Sequence, residues 1–208
     1  GTDICAHYDA EYSEGDVIRI ESTADNFVFI KLDGSVNGSI VLMPHRSFEF
    51  SVPFGKVRTA CFGADAFSGN SHTISARELE ESEIYAYRNI ALNPYDCHGR
   101  AKGFPHATAN FVTREEPCFY ERNAIDGVCH NESHGGFPYH SWAGGAREDL
   151  DYRIDFGGEA EVDKIVFFLR ADFPHDTYWK SIDIEFSDGS IESGCFEETA
   201  EGQTITFE

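Results

Sequence analysis

The chain has 208 residues and a formal net charge of −21 at pH 7, with 16 Lys and Arg against 37 Asp and Glu. Binding to nucleic acid or to an anionic membrane surface needs clustered Lys and Arg, so this charge argues against both partners. Apolar residues make up 41% of the chain, which is ample for a packed core, and no stretch approaches the roughly 20 apolar residues of a membrane span.

The composition also predicts the fold class. Phe occurs 18 times and Gly 19 times, while long runs of Ala, Leu, Glu and Lys are missing, which is typical of an all-β protein. The six cysteines are scattered without a C-x-x-C pair. We therefore expect free thiols in a reducing compartment rather than a disulfide framework, which favours the cytoplasm over secretion, as does the lack of an opening signal peptide.

Short segments that either alternate between apolar and polar residues or are continuously apolar, bounded by Gly, Pro, Asn or Asp, predict β-strands. In chain order they are 16–20, 26–32, 39–43, 48–52, 72–77, 151–156, 162–170, 181–187, 190–196 and 203–207. Segment 164–170 is apolar on both faces until Arg170, so we expect a strand buried on both sides. Segment 181–187 places Ile182, Ile184 and Phe186 on one face, which predicts a half-buried strand.

Residues 78–87 are the only plausible helix, with Ser75 and Glu78 at capping-box spacing and Ser82 as an alternative N-cap. We take this helix as a linker between two β domains. Residues 1–77 then form a small antiparallel sandwich or barrel, and residues 88–208 form a second domain that opens with long polar loops. Loops of this length without periodicity usually carry function.

The connection 171–180 holds the most varied local chemistry. Its candidate ligand-binding residues, together with the strand-ending arginine, are Arg170, Asp172, His175, Asp176, Tyr178 and Trp179. Sugar hydroxyls need directional donors and acceptors, and the C–H face of a pyranose stacks on aromatic rings, so this composition suits carbohydrate binding. Two alternatives stay open: the rings fold back onto the sheet edge, and Arg170 pairs with Asp172 or Asp176 instead of a ligand.

Short motifs follow one another in a recognisable order across residues 88–208. They are Asn89 with Ala91–Asn93, Ala107–Ala109, the N-A-I-D-G run at 123–127, Ser141-Trp142, the I-D-F-G run at 154–157 and the V-D-K-I run at 162–165. This order resembles the discoidin domain, also called coagulation factor 5/8 type C, and related galactose-binding-like carbohydrate-binding modules. The resemblance implies a jelly-roll β-sandwich that binds ligands through loops at one end. The loop between Gly127 and Trp142 is longer and richer in His than is usual. These domains normally add a closing strand where this sequence ends at Glu208, so we expect either that the domain closes differently or that this strand has been left out.

In similar modules the Asp of the Asp-Gly turn, here Asp126, helps to hold a structural Ca²⁺. A carboxylate and backbone carbonyls at a tight turn suit a hard cation. The alternative is an ordinary Asp-Gly turn.

A cluster of histidines in the loops suggests a competing hypothesis, in which the protein is a metal-dependent hydrolase. They are His98, His106, His130, His134, His140 and His175. A zinc site needs three or four converging ligands, and this spacing does not ensure them. We expect His140 to support ligand binding from the 128–142 loop. Trp142 suits either core packing or sugar stacking.

The sequence therefore predicts an all-β protein in which a small antiparallel β domain and a linker helix precede a galactose-binding-like jelly roll. The predicted function is non-catalytic carbohydrate binding through loop 171–180. A metal-dependent hydrolase and a protein–protein interaction sandwich are the alternatives.

Overall fold

The computed structural model describes residues 3–23, 26–175 and 177–207, and they form an antiparallel all-β protein, as predicted. The strands are β1 (Asp3–Tyr8), β2 (Val17–Glu21), β3 (Asn26–Lys31), β4 (Ser39–Met43), β5 (Ser47–Ser51), β6 (His72–Glu78), β7 (His106–Ala109), β8 (Tyr152–Asp155), β9 (Lys164–Phe167), β10 (Ser181–Glu185), β11 (Ile191–Cys195) and β12 (Gln203–Thr206). The α-helices are α1 (Gly55–Cys61) and α2 (Glu81–Ile84), and short 3-10 helices lie at Pro44–Arg46, Thr113–Glu115, Pro117–Phe119 and Glu121–Ala124.

The chain divides into two compact units. Unit 1 comprises 1–128 and 135–159, and unit 2 comprises 129–134 and 160–208. Residues 88–128 belong with the N-terminal strands because Tyr95 is fully buried in their core and its hydroxyl accepts a hydrogen bond from Leu32 N at 3.0 Å. The bounds of these units differ from those of the predicted domains 1–77 and 88–208. The division into those two domains stays a prediction.

Unit 1 contains the four-stranded antiparallel sheet β1-β6-β3-β4 and the pairs β2-β5 and β7-β8. Alternation along β2 and β5 buries one face of each strand, and their register places Ile18 opposite Phe50 and Ile20 opposite Phe48. These side chains join one core with Val28, Ile30, Val41 and Met43. Fully burying a side chain of this size stabilises the fold by about 1.5–3 kcal/mol.

The helices differ from the prediction. Helix α1 was not predicted; it follows Pro53, begins at Gly55 with φ +55 and buries Cys61 at its end. The predicted helix over 78–87 is reduced to the four residues of α2. Its capping box is formed by Glu80 and Glu83 rather than by Ser75 with Glu78 or by Ser82.

Unit 2 contains the antiparallel pairs β9-β12 and β10-β11, the second closed by the predicted Asp188-Gly189 turn. The prediction that β9 is buried on both faces is wrong, because Val166 is 43% exposed and Phe168, just after the strand, is 48% exposed. Strand β10 is half-buried as predicted, with Ile182 and Ile184 on the inner face. The jelly-roll topology itself stays a prediction.

Candidate functional site

Three polar side chains of unit 2 meet just after β9, and we call His134, Arg170 and Asp172 the loop cluster. Arg170 Nε and Nη2 donate to the two carboxylate oxygens of Asp172, with 2.7 Å between Nη2 and Oδ2. His134 Nδ1 lies 2.7 Å from Asp172 Oδ2 and 3.0 Å from Arg170 Nη2. A bidentate guanidinium–carboxylate pair fixes both side chains in one plane.

The loop cluster keeps its charges while remaining open to solvent. The Arg170 guanidinium, and after it the His134 imidazole, hold the pKa of the Asp172 carboxyl well below its usual range. The side chains of His134 and Arg170 are 50% and 30% exposed, and that of Asp172 is 12% exposed. A ligand can therefore reach the Arg170 guanidinium and the His134 ring beside an ionised acceptor.

Asn131 explains how His134 comes to lie beside a loop far along the chain. Its side-chain amide donates to Leu169 O at 2.7 Å and to Ala200 O at 2.9 Å, and Ala171 N donates back to Asn131 O at 2.9 Å. Segment 129–134 is thereby attached to the segments that flank the loop cluster.

The other predicted residues of loop 171–180 surround this cluster in sequence. His175 is exposed, and its backbone N–H donates to Asp172 O at 3.0 Å. Phe173, which was not predicted as a site residue, is exposed, whereas Tyr178 and Trp179 are half-buried. Asp176 lies outside the described residues. Arg170 thus pairs with Asp172, which is one of the two aspartates that the sequence analysis named as its partner. His134 joins this pair and was not predicted as a site residue.

The remaining predicted site residues, His140 and Trp142, belong to unit 1. The His140 side chain is 0% exposed, and its Nε2 lies 2.5 Å from Asp126 Oδ2. Trp142 is half-buried, donates from Nε1 to Phe111 O at 3.0 Å and packs on the Tyr152 ring at 4.8 Å. This geometry is that of the core-packing alternative for Trp142, and sugar binding by either residue stays a prediction.

Asp126, the predicted calcium ligand, has its carboxylate engaged by protein donors. Oδ1 accepts a hydrogen bond from Val128 N at 2.9 Å, while Oδ2 faces His140 and, at 3.6 Å, Arg122 Nη1. A guanidinium so near opposes a divalent cation, so this donor set does not fit Ca²⁺. The predicted calcium site therefore has no support in the geometry and stays a prediction.

Asp126 is part of a larger ionic network in unit 1 that the sequence analysis missed. Its members are Asp96, His98, His106, Glu121, Arg122, Asp126 and His140. Arg122 is 2% exposed and donates from Nε to Asp96 O, from Nη2 to Pro94 O and from Nη1 to Asn123 Oδ1, at 2.7–3.0 Å. Its guanidinium also lies 4.5 Å from the centre of the Phe62 ring.

The proton on His140 follows from its partners. Nδ1 is buried and has no hydrogen-bond partner among the residues the structure describes, so the Nε2–H group donates to Asp126. A neutral imidazole leaves a single buried acceptor unsatisfied, whereas a charged one would bury an unpaired cationic donor. Arg122 and Asp126 therefore balance each other's charge.

Two further histidines of the network are oriented by carboxylates. His106 Nδ1 donates to Asp96 Oδ1 at 2.7 Å, and this hydrogen bond raises the pKa of His106. His98 Nδ1 lies 2.8 and 2.9 Å from the two oxygens of buried Glu121, and its ring stacks on Tyr120 at 3.7 Å.

The geometry gives little support to the alternative of a metal-dependent hydrolase. Within residues 3–23, 26–175 and 177–207, no group of three or more His, Cys, Asp or Glu side chains could hold a metal ion. The six cysteines lie within these ranges, and no disulfide bond joins any two of them. Burial raises the pKa of Cys61 and of Cys97 to about 11, so both thiols are protonated and weakly nucleophilic near neutral pH.

Comparisons with known proteins identify no relative: no protein-family profile, no curated protein and no solved structure matches the chain. Within the described part of the chain, no helix is long and apolar enough to cross a membrane.

Proposed function

We propose that the protein binds carbohydrate without catalysis, through loop 171–180 of unit 2. The observation that carries this proposal is the loop cluster, in which an ionised carboxylate, a guanidinium and an imidazole are fixed together at an exposed site. Adjacent sugar hydroxyls act at once as donors and acceptors, so they match a site that offers both.

The side chains of the loop cluster are hydrogen-bonded to one another. Arg170 and Asp172 hold each other through two hydrogen bonds, and His134 is held in turn by Asp172. Side chains that are already ordered lose less conformational entropy on binding, which matters for a ligand that offers only hydroxyl groups. The two charges cancel, so the site suits a neutral sugar in a chain whose net charge of −21 repels anions.

Aromatic side chains supply the second requirement of sugar binding. Phe173 is 50% exposed and adjoins Asp172 in sequence, and Tyr178 and Trp179 follow in the same loop. Rings with an exposed face stack on the apolar face of a pyranose. The discoidin resemblance agrees with binding through loops, although fold analogy alone would not assign a function.

A glycan array, probed with and without Ca²⁺, tests the proposal. We expect binding by the unmodified chain and its loss in Arg170→Gln, His175→Ala and Trp179→Ala. His130→Ala is the matched control, because this histidine is exposed in the same unit without belonging to the loop cluster. Absence of binding to any glycan, or equal binding by all variants, would overturn the proposal. Dependence on Ca²⁺ would support the calcium prediction separately.

A further inference from the structure

Unit 1 contains a pocket of about 80 Å³ whose lining includes the charged groups of Arg122 and Asp126. We propose that this pocket binds a small neutral ligand with adjacent hydroxyl groups, such as one monosaccharide unit. The site lies in the other unit from the loop cluster, and the inference does not depend on carbohydrate binding by loop 171–180.

The donor side of the pocket is the Arg122 guanidinium. A guanidinium carries five N–H groups, and Arg122 uses three of them in hydrogen bonds to Asp96 O, Pro94 O and Asn123 Oδ1. Arg122 also forms a hydrogen bond with the Cys61 thiol, whose sulfur is a weak acceptor, and Asp126 Oδ2 lies 3.6 Å from Nη1, which is longer than a hydrogen bond. A buried N–H without a good acceptor is costly, so a ligand oxygen is favoured there.

The acceptor side is the carboxylate of Asp126. An ionised carboxylate offers about four lone-pair sites, and Val128 N and His140 Nε2 occupy two of them. Oδ2 lies 3.6 Å from Arg122 Nη1, which is too far for a direct hydrogen bond. Donor and acceptor thus lie side by side without satisfying each other. One hydroxyl can accept from Arg122 while its neighbour donates to Asp126.

The walls and size of the pocket restrict the ligand further. Val36, Phe62, Val128 and Phe137 provide apolar surface, and Phe137, which is 42% exposed, stacks on His140 at 5.5 Å. The volume is far below the roughly 300–1,000 Å³ of pockets for drug-sized ligands, and below the roughly 150 Å³ of a cavity that encloses benzene. The pocket therefore holds one diol-sized part of a ligand, and the rest of a sugar ring projects from it. The Arg122–Asp126 pair is neutral overall, which favours an uncharged ligand.

Nuclear magnetic resonance on the full chain tests the inference. Glucose, galactose, mannose and glycerol are titrated separately while the Arg122 side-chain Nε–H signal is followed, because this group lies at the pocket. We expect at least one probe to shift the signal saturably. A response to sugars alone indicates that the ring is required, and an equal response to glycerol indicates that the diol is sufficient; both support the site.

Two variants locate the binding. Val128→Phe reduces the pocket volume, and we expect affinity to fall at least about tenfold, or 1.4 kcal/mol. Arg170→Gln changes only the loop cluster, and pocket binding should stay unchanged, whereas Val128→Phe should leave glycan-array binding intact. Dispersed spectra establish that each variant is folded. No saturable shift with any probe, or undiminished affinity in folded Val128→Phe, overturns the inference, and neither result bears on the loop cluster.

Discussion

Replacing Arg122 by Met tests whether the ionic network is needed for the stability of unit 1. The substitution keeps much of the apolar stem but removes three hydrogen bonds and leaves the Asp126 carboxylate buried without its cation. At the observed 3.6 Å and an effective dielectric constant of about 20, Coulomb's law gives about 5 kcal/mol for the pair. Removing one partner of a buried ion pair typically costs about 3–5 kcal/mol, so we expect a loss in that range.

Urea and thermal unfolding of the purified chain measure this loss. For a domain of about 150–250 residues each kcal/mol lowers Tm by about 2–4 °C, so we expect a fall of about 6–20 °C. Arg100→Met is the matched control, since Arg100 is exposed in the same unit and its loss should change stability by no more than about 0.5 kcal/mol. Adding Asp126→Leu to Arg122→Met should restore part of the loss, because no uncompensated carboxylate remains. A loss below about 1 kcal/mol for Arg122→Met would refute the reasoning.

Further predictions concern one titrating group and one backbone position. The Asp96 hydrogen bond raises the pKa of His106 above the ordinary histidine value of 6.5. The stabilisation that depends on the His106 charge is therefore complete below about pH 6.5 and is lost as pH rises through the raised pKa. The stability difference between the unmodified chain and His106→Gln, measured by urea unfolding from about pH 5 to pH 9, should therefore shrink with rising pH, and a constant difference would contradict this. Gly157 has φ +74, and an added Cβ would lie 2.5 Å from Phe104 Cδ2, whereas a Cβ on Gly158 meets nothing within 4 Å. Gly157→Ala should thus lower the unfolding free energy by about 1–3 kcal/mol and Gly158→Ala should not; equal effects in thermal melts would refute the steric argument.

The strands were predictable where alternation marked them. Predicted segments 16–20 and 48–52 agree with β2 and β5 to within one residue, because one buried face imposes a period of two. Predicted segment 39–43, a short apolar run that ends before Pro44, matches β4. Strand β1 was missed although Ile4, Ala6 and Tyr8 lie on one face of it, and all six of its residues are exposed. Strand β7 is short and carries small alanines, and α1 lacks a recognisable cap.

The candidate site was predictable only in its local part. Arg170 and Asp172 lie two residues apart, so their pairing could be anticipated from the sequence. His134 joins them from 38 residues before Asp172, and only the fold reveals that contact. Arg122 was overlooked because a single arginine between polar residues gives no indication that it will be buried. Its position four residues before Asp126 would have been the one available clue.

The attachment of segment 129–134 has a consequence for the order in which the protein is made. The ribosome adds 69 residues between Asn131 and Ala200, and the carbonyl of Ala200 is one of the two that the Asn131 side chain binds. At about 5–20 residues per second this interval is about 3–14 s, far longer than a local hairpin needs to form. Unit 2 therefore assembles late in synthesis, after most of unit 1 has emerged, and the attachment of segment 129–134 is complete only when Ala200 has been made.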